Sequence, residues 1–131
     1  MNETKAILKN AWPYQQDRMN LPVGNLETAL PFYETGLGFR VVSRGEKPYH
    51  SAVLERDAVQ IGLAKNGGDP TQDGCFFEVD ELEKAYYELK INGLLKGEPD
   101  FSFQQHGDVR WEVFFVVAPD GLCYCYGQRQ N

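Results

Sequence analysis

The sequence has little of what marks secreted, membrane-spanning or nucleic-acid-binding proteins. It contains three cysteines, an odd number without the spacing of a disulfide framework, which argues against a disulfide-built secreted fold. No apolar run approaches the ~20 residues of a membrane span, and the first twenty residues lack the apolar core of a signal peptide. The 13 Lys and Arg are outnumbered by 19 Asp and Glu, which argues against a nucleic-acid-binding surface. We therefore expect a cytoplasmic protein with no membrane and no nucleic-acid partner.

The composition that remains is typical of one folded domain. Hydrophobic residues make up 42% of the 131 residues and charged residues 24%, which is ordinary for a globular chain. The length matches the usual size of a single domain and is sufficient to bury a core.

An internal repeat organises the chain. Val23–Ala29 and Val79–Ala85 share the pattern V-x-x-L-E-x-A at an offset of 56 residues, and a Gly-Leu pair follows each copy. Asp57–Leu63 resembles Asp120–Tyr126 at an offset of 63 residues. Because the matches occur in the same order, the sequence predicts two copies of one structural module.

The first copy predicts a strand, a helix and three strands. Alternation and apolar runs place its strands at Arg18–Val23, Phe39–Arg44, Ser51–Glu55 and Val59–Ala64. Asn25 is a good helix N-cap, but Pro31 lacks a backbone donor, so we expect the helix to begin near Thr28 or to kink.

The second copy predicts the same order of elements. Its strands are expected at Cys75–Val79, Trp111–Val117 and Leu122–Tyr126, with a loop around one short strand in Lys96–Asp108. Asp80 and Glu83 predict a capping box for a helix. The apolar face of this helix is expected to consist of Leu82, Ala85, Tyr86 and Leu89.

A longer motif gives the repeat a family resemblance. Val23–Phe39 (VGNLETALPFYETGLGF) resembles the V-x-D-L-x-x-A-x-x-F-Y-x-x-x-L-G-F signature of the vicinal oxygen chelate superfamily, which includes glyoxalase I, bleomycin-resistance proteins and extradiol dioxygenases. Val79–Gly93 and Ala118–Gly121 add to the likeness. The implied fold class is α+β, with two βαβββ modules forming curled mixed sheets and helices on the outer faces. The domain would span 17–131, with modules at about 17–66 and 73–128, after an N-terminal arm over 1–16.

The resemblance also implies where a metal would be held. Catalytic relatives bind one divalent ion on four His or Glu side chains, and these positions fall here at Arg18, Gly62, Gly74 and Cys125. Glycine offers no side-chain donor, arginine is a permanent cation, and one cysteine cannot replace the set. We therefore predict no metal and no other cofactor, and a likeness closest to the metal-free bleomycin-resistance type.

Strand alternation around these positions predicts a binding site. With the four positions facing inward, and with space left by the glycines, the expected ligand-binding residues are Arg18, Asn20, Gln60, Phe76, Glu78, Trp111, Phe115 and Cys125. Their composition suits an aromatic or hydrophobic small organic molecule. The resemblance implies a homodimer that sequesters such a ligand in a cleft between subunits, in an antibiotic-resistance role.

Several alternatives stay open at this point. Arg18 favours an anionic ligand, whereas the metal-free relatives take cationic drugs. A glyoxalase-like lyase or isomerase with a non-standard metal set, or with metal-free acid–base residues such as His50, Glu78 and Cys125, is the competing function. Cys123 and Cys125 share a strand face, where small apolar filling is favoured over soft-metal binding or a reactive thiol.

The other open questions concern peripheral residues and assembly. Trp12 would anchor the arm on a partner subunit or on its own domain, and His106 would be solvated or cover the cleft. Whether the modules pair within or between chains is also open.

Overall fold

The computed structural model describes residues 5–14 and 17–130, and in this part of the chain nine strands and two α-helices form a mixed α+β domain, as predicted. The first five strands are β1 (Leu8–Pro13), β2 (Leu21–Pro22), β3 (Arg40–Gly45), β4 (Ser51–Arg56) and β5 (Val59–Ala64). The last four are β6 (Gly74–Val79), β7 (Ser102–His106), β8 (Val109–Val117) and β9 (Cys123–Arg129). The helices are α1 (Leu26–Pro31) and α2 (Leu82–Ile91). Within the described ranges, no helix has the length and apolarity needed to cross a membrane.

Each copy of the repeat supplies one sheet. The first sheet has the strand order β2-β5-β4-β3, and the second has the order β1-β6-β9-β8-β7. In both, the first and last strands of the module pair in parallel, with Leu21 opposite Leu63 and Phe77 opposite Tyr126. These two pairs are related by the offsets of 56 and 63 residues, so equivalent strands of the two modules pair in the same register.

The main core lies between the helices and one face of each sheet. It contains Leu21, Ile61, Leu63, Phe77 and Tyr124 from the strands. The rings of Phe77 and Tyr124 stack with centroids 5.3 Å apart, and those of Phe114 and Tyr126 stack at 5.1 Å. The predicted buried face of α2 is also confirmed. The opposite faces of the sheets are thereby left free for a site.

The first helix begins earlier than predicted. It starts at Leu26, since the Asn25 side chain accepts a hydrogen bond from the backbone N–H of Thr28 at 3.1 Å. Pro31 lies inside the helix, and the next five residues, Phe32–Gly36, form a π-helical turn. Because Pro31 cannot donate a backbone hydrogen bond, the widened turn accommodates it without a break in the chain direction.

The predicted capping box of α2 is wrong. Glu81 is the N-cap residue and makes no side-chain cap bond, while the Gln128 side chain accepts from the backbone N–H of Leu82 at 2.7 Å. The Asp80 carboxylate instead accepts from the backbone N–H of Ile7 at 2.8 Å. A local sequence pattern could not reveal this, because the competing donor comes from the other end of the chain.

The predicted strand Arg18–Val23 is shorter than expected. The paired strand consists of Leu21 and Pro22, and residues 18–20 form a turn in which the Arg18 carbonyl still accepts from the backbone N–H of Gly62 at 2.9 Å. The cause is Asp17, whose side chain accepts from the backbone N–H of Met19 at 2.8 Å and from the Asn20 amide at 2.6 Å. Such side-chain bonds stabilise turns at the expense of strand pairing. The inward and outward alternation expected over this segment therefore does not apply to residues 18–20.

The N-terminal segment contains a strand that the sequence did not predict. β1 pairs antiparallel with β6 and forms an edge of the second sheet, with Trp12 opposite Phe76 and Pro13 opposite Cys75. The Asp57 carboxylate accepts from the backbone N–H of Leu8 at 2.8 Å and so ties the strand to the first module. The segment preceding the first module is thus part of the second module's sheet.

Candidate functional site

The second sheet carries an aromatic concavity on the face that points away from the helices. Its volume is about 410 Å³. Strands β1, β6, β7, β8 and β9 all contribute to its wall. The lining residues are Trp12, Pro13, Tyr14, Phe76, Gln104, His106, Trp111, Phe115, Cys123 and Cys125. We call this cavity the aromatic pocket. Its size lies in the range of small-molecule sites.

Three rings form the centre of its wall. Phe76 and Trp111 meet nearly edge to face with centroids 5.0 Å apart. Trp12 lies 6.0 Å from Phe76 and 6.1 Å from Trp111, so β1 adds a third ring to a pair that β6 and β8 supply. Aromatic rings prefer such tilted contacts because the positive edge of one ring meets the negative face of another. The cluster is therefore a rigid wall of mutually supporting rings.

The rings differ in how much surface they offer to a ligand. Trp111 is only 4% exposed and Phe76 8%, whereas Trp12 is 46% and Phe115 47% exposed. Trp111 is covered on its other side by the Arg129 guanidinium, 5.8 Å from the ring centroid. Trp12 and Phe115 therefore present most of the exposed ring surface, and Phe76 and Trp111 support the Trp12 ring from within the wall.

The polar groups of the pocket are few. His106 packs on Phe76 at 5.5 Å between centroids, and its Nε2 bonds to Oε1 of Gln104 at 2.8 Å. None of the ten lining residues, all within the described ranges, is Asp, Glu, Lys or Arg. The pocket thus offers ring faces, one imidazole, one amide, the Tyr14 hydroxyl and the two thiols of Cys123 and Cys125, and no formal charge from those four residue types.

The three cysteines are divided between two faces of the second sheet. Cys123 and Cys125 line the aromatic pocket, while Cys75 is fully buried in the main core on the other side. Burial, followed by the neighbouring Cys123, raises the pKa of Cys125 to about 12. Burial also raises the pKa of Cys75 to about 12. Both thiols therefore keep their protons at neutral pH.

Of the eight residues predicted to bind ligand, the structure brings four together in the aromatic pocket, namely Phe76, Trp111, Phe115 and Cys125. Arg18 and Gln60 lie instead at a separate cavity of about 170 Å³, where Arg18 Nε donates to the Gln60 carbonyl at 3.0 Å. Asn20 lies at a third cavity beside Tyr49. The strand β1 and the turn at residues 17–20 account for this separation. The predicted alternation did not include β1, and it treated residues 18–20 as part of a strand.

Glu78 faces β1. Its carboxylate accepts from the Asn10 amide at 2.7 Å and lies 3.8 Å from the Lys9 ammonium. These contacts supply hydrogen-bond and ionic partners for the Glu78 carboxylate at the edge of the sheet, and they do not include Arg18. Glu78 is therefore placed as a structural group between two strands.

Sequence reasoning missed Trp12, Tyr14, Gln104 and His106 as members of one site. The signal that could have found the first two is the spacing of Asn10, Trp12 and Tyr14, which places their side chains on one face of a strand. For Gln104 and His106 the same period of two occurs in the short strand β7. Only the pairing of β1 with β6 and of β7 with β8 brings these segments together.

The chain is similar to known proteins in sequence and in fold. The Glyoxalase/Bleomycin resistance protein/Dioxygenase superfamily matches residues 15–121. The chain belongs to this superfamily. Among curated proteins no match was found.

Solved structures with the same superfamily fold include three informative neighbours. A bleomycin resistance determinant encoded on transposon Tn5 is 26% identical, with 89% of this chain and 98% of that chain covered and a TM-score of 0.60. A bleomycin-binding protein complexed with bleomycin gives the same identity and coverage and a TM-score of 0.59. A virulence protein from Salmonella typhimurium is 20% identical, covers 87% and 95% of the two chains, and has a TM-score of 0.66, which shows a shared fold.

The residues of this superfamily member do not fit the metal of its catalytic relatives. A Cβ atom added at Gly62 would lie 2.1 Å from the Met19 carbonyl oxygen, and one at Gly74 would lie 1.7 Å from the Cys123 carbonyl oxygen. The expectation that these glycines leave space is therefore wrong, because the neighbouring backbone occupies the place of a ligand side chain. Of the four positions, only Cys125 offers a donor of the usual type. Within residues 5–14 and 17–130, no three His, Cys, Asp or Glu side chains form a metal-binding group.

The acid–base residues of the alternative enzyme hypothesis are placed apart. Cys125 lines the aromatic pocket, Glu78 is bonded to β1, and His50 precedes β4 in the other sheet. A general acid and base need to reach the same substrate atoms. This arrangement gives no specific support to the alternative.

Proposed function

We propose that this superfamily member is a metal-independent binding protein of the bleomycin-resistance type, which sequesters an aromatic or hydrophobic small molecule in the aromatic pocket. The observation that carries the proposal is the wall of Trp12, Phe76, Trp111 and Phe115 around about 410 Å³. Ring faces and buried apolar area are the main source of affinity for flat organic ligands. The likeness to a bleomycin-binding protein, at 26% identity, supports this class of function.

The lining chemistry favours a neutral or a cationic ligand over an anionic one. Indole and phenyl faces attract cations through their negative quadrupole. An anion would find no Lys or Arg among the lining residues, and Arg18 lies at a separate cavity with its Nε bonded to Gln60. We therefore propose a planar neutral molecule or one with a delocalised positive charge, held by stacking on Trp12 and Phe115.

We further propose that the protein acts as a homodimer in the cytoplasm, with the second subunit covering the aromatic pocket. Support comes from the apolar side chains that surround it in the single chain. Phe115 is 47% and Val117 58% exposed, and Trp12 and Tyr14 are also exposed. Exposed apolar groups gathered on one face are typical of association surfaces. A second copy would enclose the ligand and bury these side chains together.

The experiment uses the intrinsic fluorescence of the protein, because both tryptophans of the chain line the pocket. Titration with bleomycin and with a panel of neutral, cationic and anionic aromatic compounds is expected to change the emission for at least one neutral or cationic compound. The same compound should raise the melting temperature by mass action. Trp12→Ala should weaken its binding by about 1–3 kcal/mol, the scale of an aromatic hot spot.

The matched control is Ile91→Ala, since Ile91 is an exposed apolar residue on α2 that does not line the pocket. Its binding curve should superimpose on that of the unmodified protein. Binding that is unaffected by Trp12→Ala, or that prefers the anionic compounds, contradicts the proposed site.

A further inference from the structure

Two thiols lie side by side in the wall of the aromatic pocket. Cys123 and Cys125 are separated by one residue on β9 and both line the pocket. Residues i and i+2 of a strand point to the same face, with their Cα atoms about 6.7 Å apart. Tyr124, between them, points to the main core. The pair therefore forms a dithiol that faces one cavity.

The spacing of the pair disfavours a disulfide and suits a bridging ion. In a disulfide the Cβ atoms lie about 3.8 Å apart, whereas parallel Cβ vectors on one strand keep nearly the Cα separation. An ion bound linearly by two thiolates holds the sulfurs about 4.6 Å apart, which is twice a metal–sulfur bond of about 2.3 Å. The remaining difference of about 2 Å from the Cα spacing can be closed by the two C–S bonds leaning toward each other.

The rest of the pocket limits which ion fits. Among the described residues no third His, Cys, Asp or Glu completes a set with the pair, so the tetrahedral site that zinc requires is missing. Thiolate is a soft ligand and selects soft ions. A singly charged ion on two thiolates would leave a net negative charge, and the lining residues include no Lys or Arg to balance it, since Arg129 contacts the Trp111 ring without lining the pocket. A doubly charged ion leaves the site neutral.

We propose that Cys123 and Cys125 form a two-coordinate site for a divalent soft metal ion, for which Hg(II) is the probe. Two S–H bonds break, two metal–sulfur bonds form and two protons leave to water, with no change in oxidation state. Phe76 and Trp111 pack against Cys125 and exclude water from the bonds, and their ring faces favour the cation. This site is independent of the proposed organic ligand, since it requires only the two thiols.

The test is a titration of the purified reduced protein with Hg(II) in the presence of excess glutathione, followed by tryptophan fluorescence and native mass spectrometry. One ion per chain is expected, with quenching of the pocket tryptophans. The ion arrives as its bis-glutathione complex, and the two glutathione thiolates that it leaves take up the two protons lost by the cysteines. Cys123→Ser and Cys125→Ser should each weaken binding roughly 10²–10⁴-fold, the effective-concentration advantage of a second ligand. Cys75→Ala is the matched control, because Cys75 lies on the opposite face of the sheet, and it should change the affinity less than about twofold.

A measurement on the unmodified protein keeps the test valid if a variant fails to fold. X-ray absorption should show two sulfur neighbours at about 2.3 Å and no nitrogen or oxygen. The proposal is overturned if the ion bridges two chains, if one cysteine suffices, or if Cys75 is required. The organic-ligand titration can fail while Hg(II) binds at the two cysteines, and Hg(II) binding can fail while the organic ligand binds. The two proposals are therefore tested separately.

Discussion

The strongest single test of the fold concerns the buried ion pair between Arg56 and Glu88. The Arg56 guanidinium donates to both carboxylate oxygens of Glu88, at 2.8 and 2.7 Å, and to the backbone carbonyls of Leu37 and Ala6 at 2.7 and 2.8 Å. The side chains of Arg56 and Glu88 are only 8% and 5% exposed. One guanidinium thus joins β4, α2, the end of the first helical segment and the residues that precede β1.

Replacing Glu88 by Gln removes the negative charge that Arg56 contacts with two donors and leaves the buried guanidinium with only the Asp57 carboxylate, 3.6 Å from its Nε. Breaking a buried pair in this way costs about 3–5 kcal/mol in the free energy of unfolding. Chains of this length have a total stability of about 7–20 kcal/mol. With an unfolding entropy near 0.28 kcal/mol per kelvin for a chain of this size, the melting temperature should fall by about 11–18 °C.

The assay is calorimetric unfolding together with urea unfolding followed by circular dichroism. The matched control is Glu55→Gln, which breaks the pair that Glu55 forms with Arg40 at 2.9 Å, where the Arg40 side chain is 70% exposed. An exposed pair contributes about 0–1 kcal/mol, so the control should melt within a few degrees of the parent. Equal losses in the two variants would refute the reasoning that burial makes the Arg56–Glu88 pair costly to break.

Four further predictions concern the site and the strands around it. Gly74→Ala should lower the free energy of unfolding by more than about 4 kcal/mol or prevent folding, because its Cβ would overlap the Cys123 carbonyl. The control Gly24→Ala should change the free energy of unfolding by less than about 0.5 kcal/mol in urea titrations, and equal effects of the two changes would contradict the backbone contact at Gly74. Phe115→Glu should convert the proposed dimer to a monomer in sedimentation experiments, while the control Ile91→Glu leaves the dimer intact. A dimer in both variants would show that the face carrying Phe115 is not the dimer interface. The pKa values of Cys75 and Cys125 are raised to about 12, so both thiols stay protonated at pH 8. A thiol reagent at this pH should therefore modify only Cys123 rapidly in the native protein, and fast reaction of all three cysteines would contradict the burial of Cys75 and Cys125. The same shifts mean that the folded state retains protons that the unfolded chain loses, so stability should fall as the pH rises from the ordinary thiol range toward 12.

The repeat predicted those parts of the fold that depend on patterns within one module. The sequence predicted two modules of one design, and the equivalent pairs Leu21–Leu63 and Phe77–Tyr126 are the structural counterpart of that repeat. The core face of α2 follows from helical spacing alone. In these cases the local preference and the tertiary contact agree, so a sequence pattern is sufficient.

Several of the failures come from contact between distant segments, whereas the strand expected over residues 18–23 is shortened by the local bonds of Asp17. Asp80 did not cap its own helix because the backbone of Ile7 reaches it. Gly62 and Gly74 gave no cavity because a carbonyl from a neighbouring segment fills the place of a side chain. Phe76, Trp111 and Phe115 of the predicted site line one pocket, and Trp12 joins them through a strand pair whose members are separated by the first module.

That strand pair has a consequence for the order in which the protein assembles during synthesis. The partner of Trp12 is Phe76, so the strand β1 leaves the ribosome more than sixty residues before the segment it must pair with. Contacts so far apart in sequence form late, because the intervening loop must close first. The nascent first module therefore waits with an unpaired apolar strand at its amino end. A chaperone or a second nascent chain has its best opportunity to capture the polypeptide in this interval.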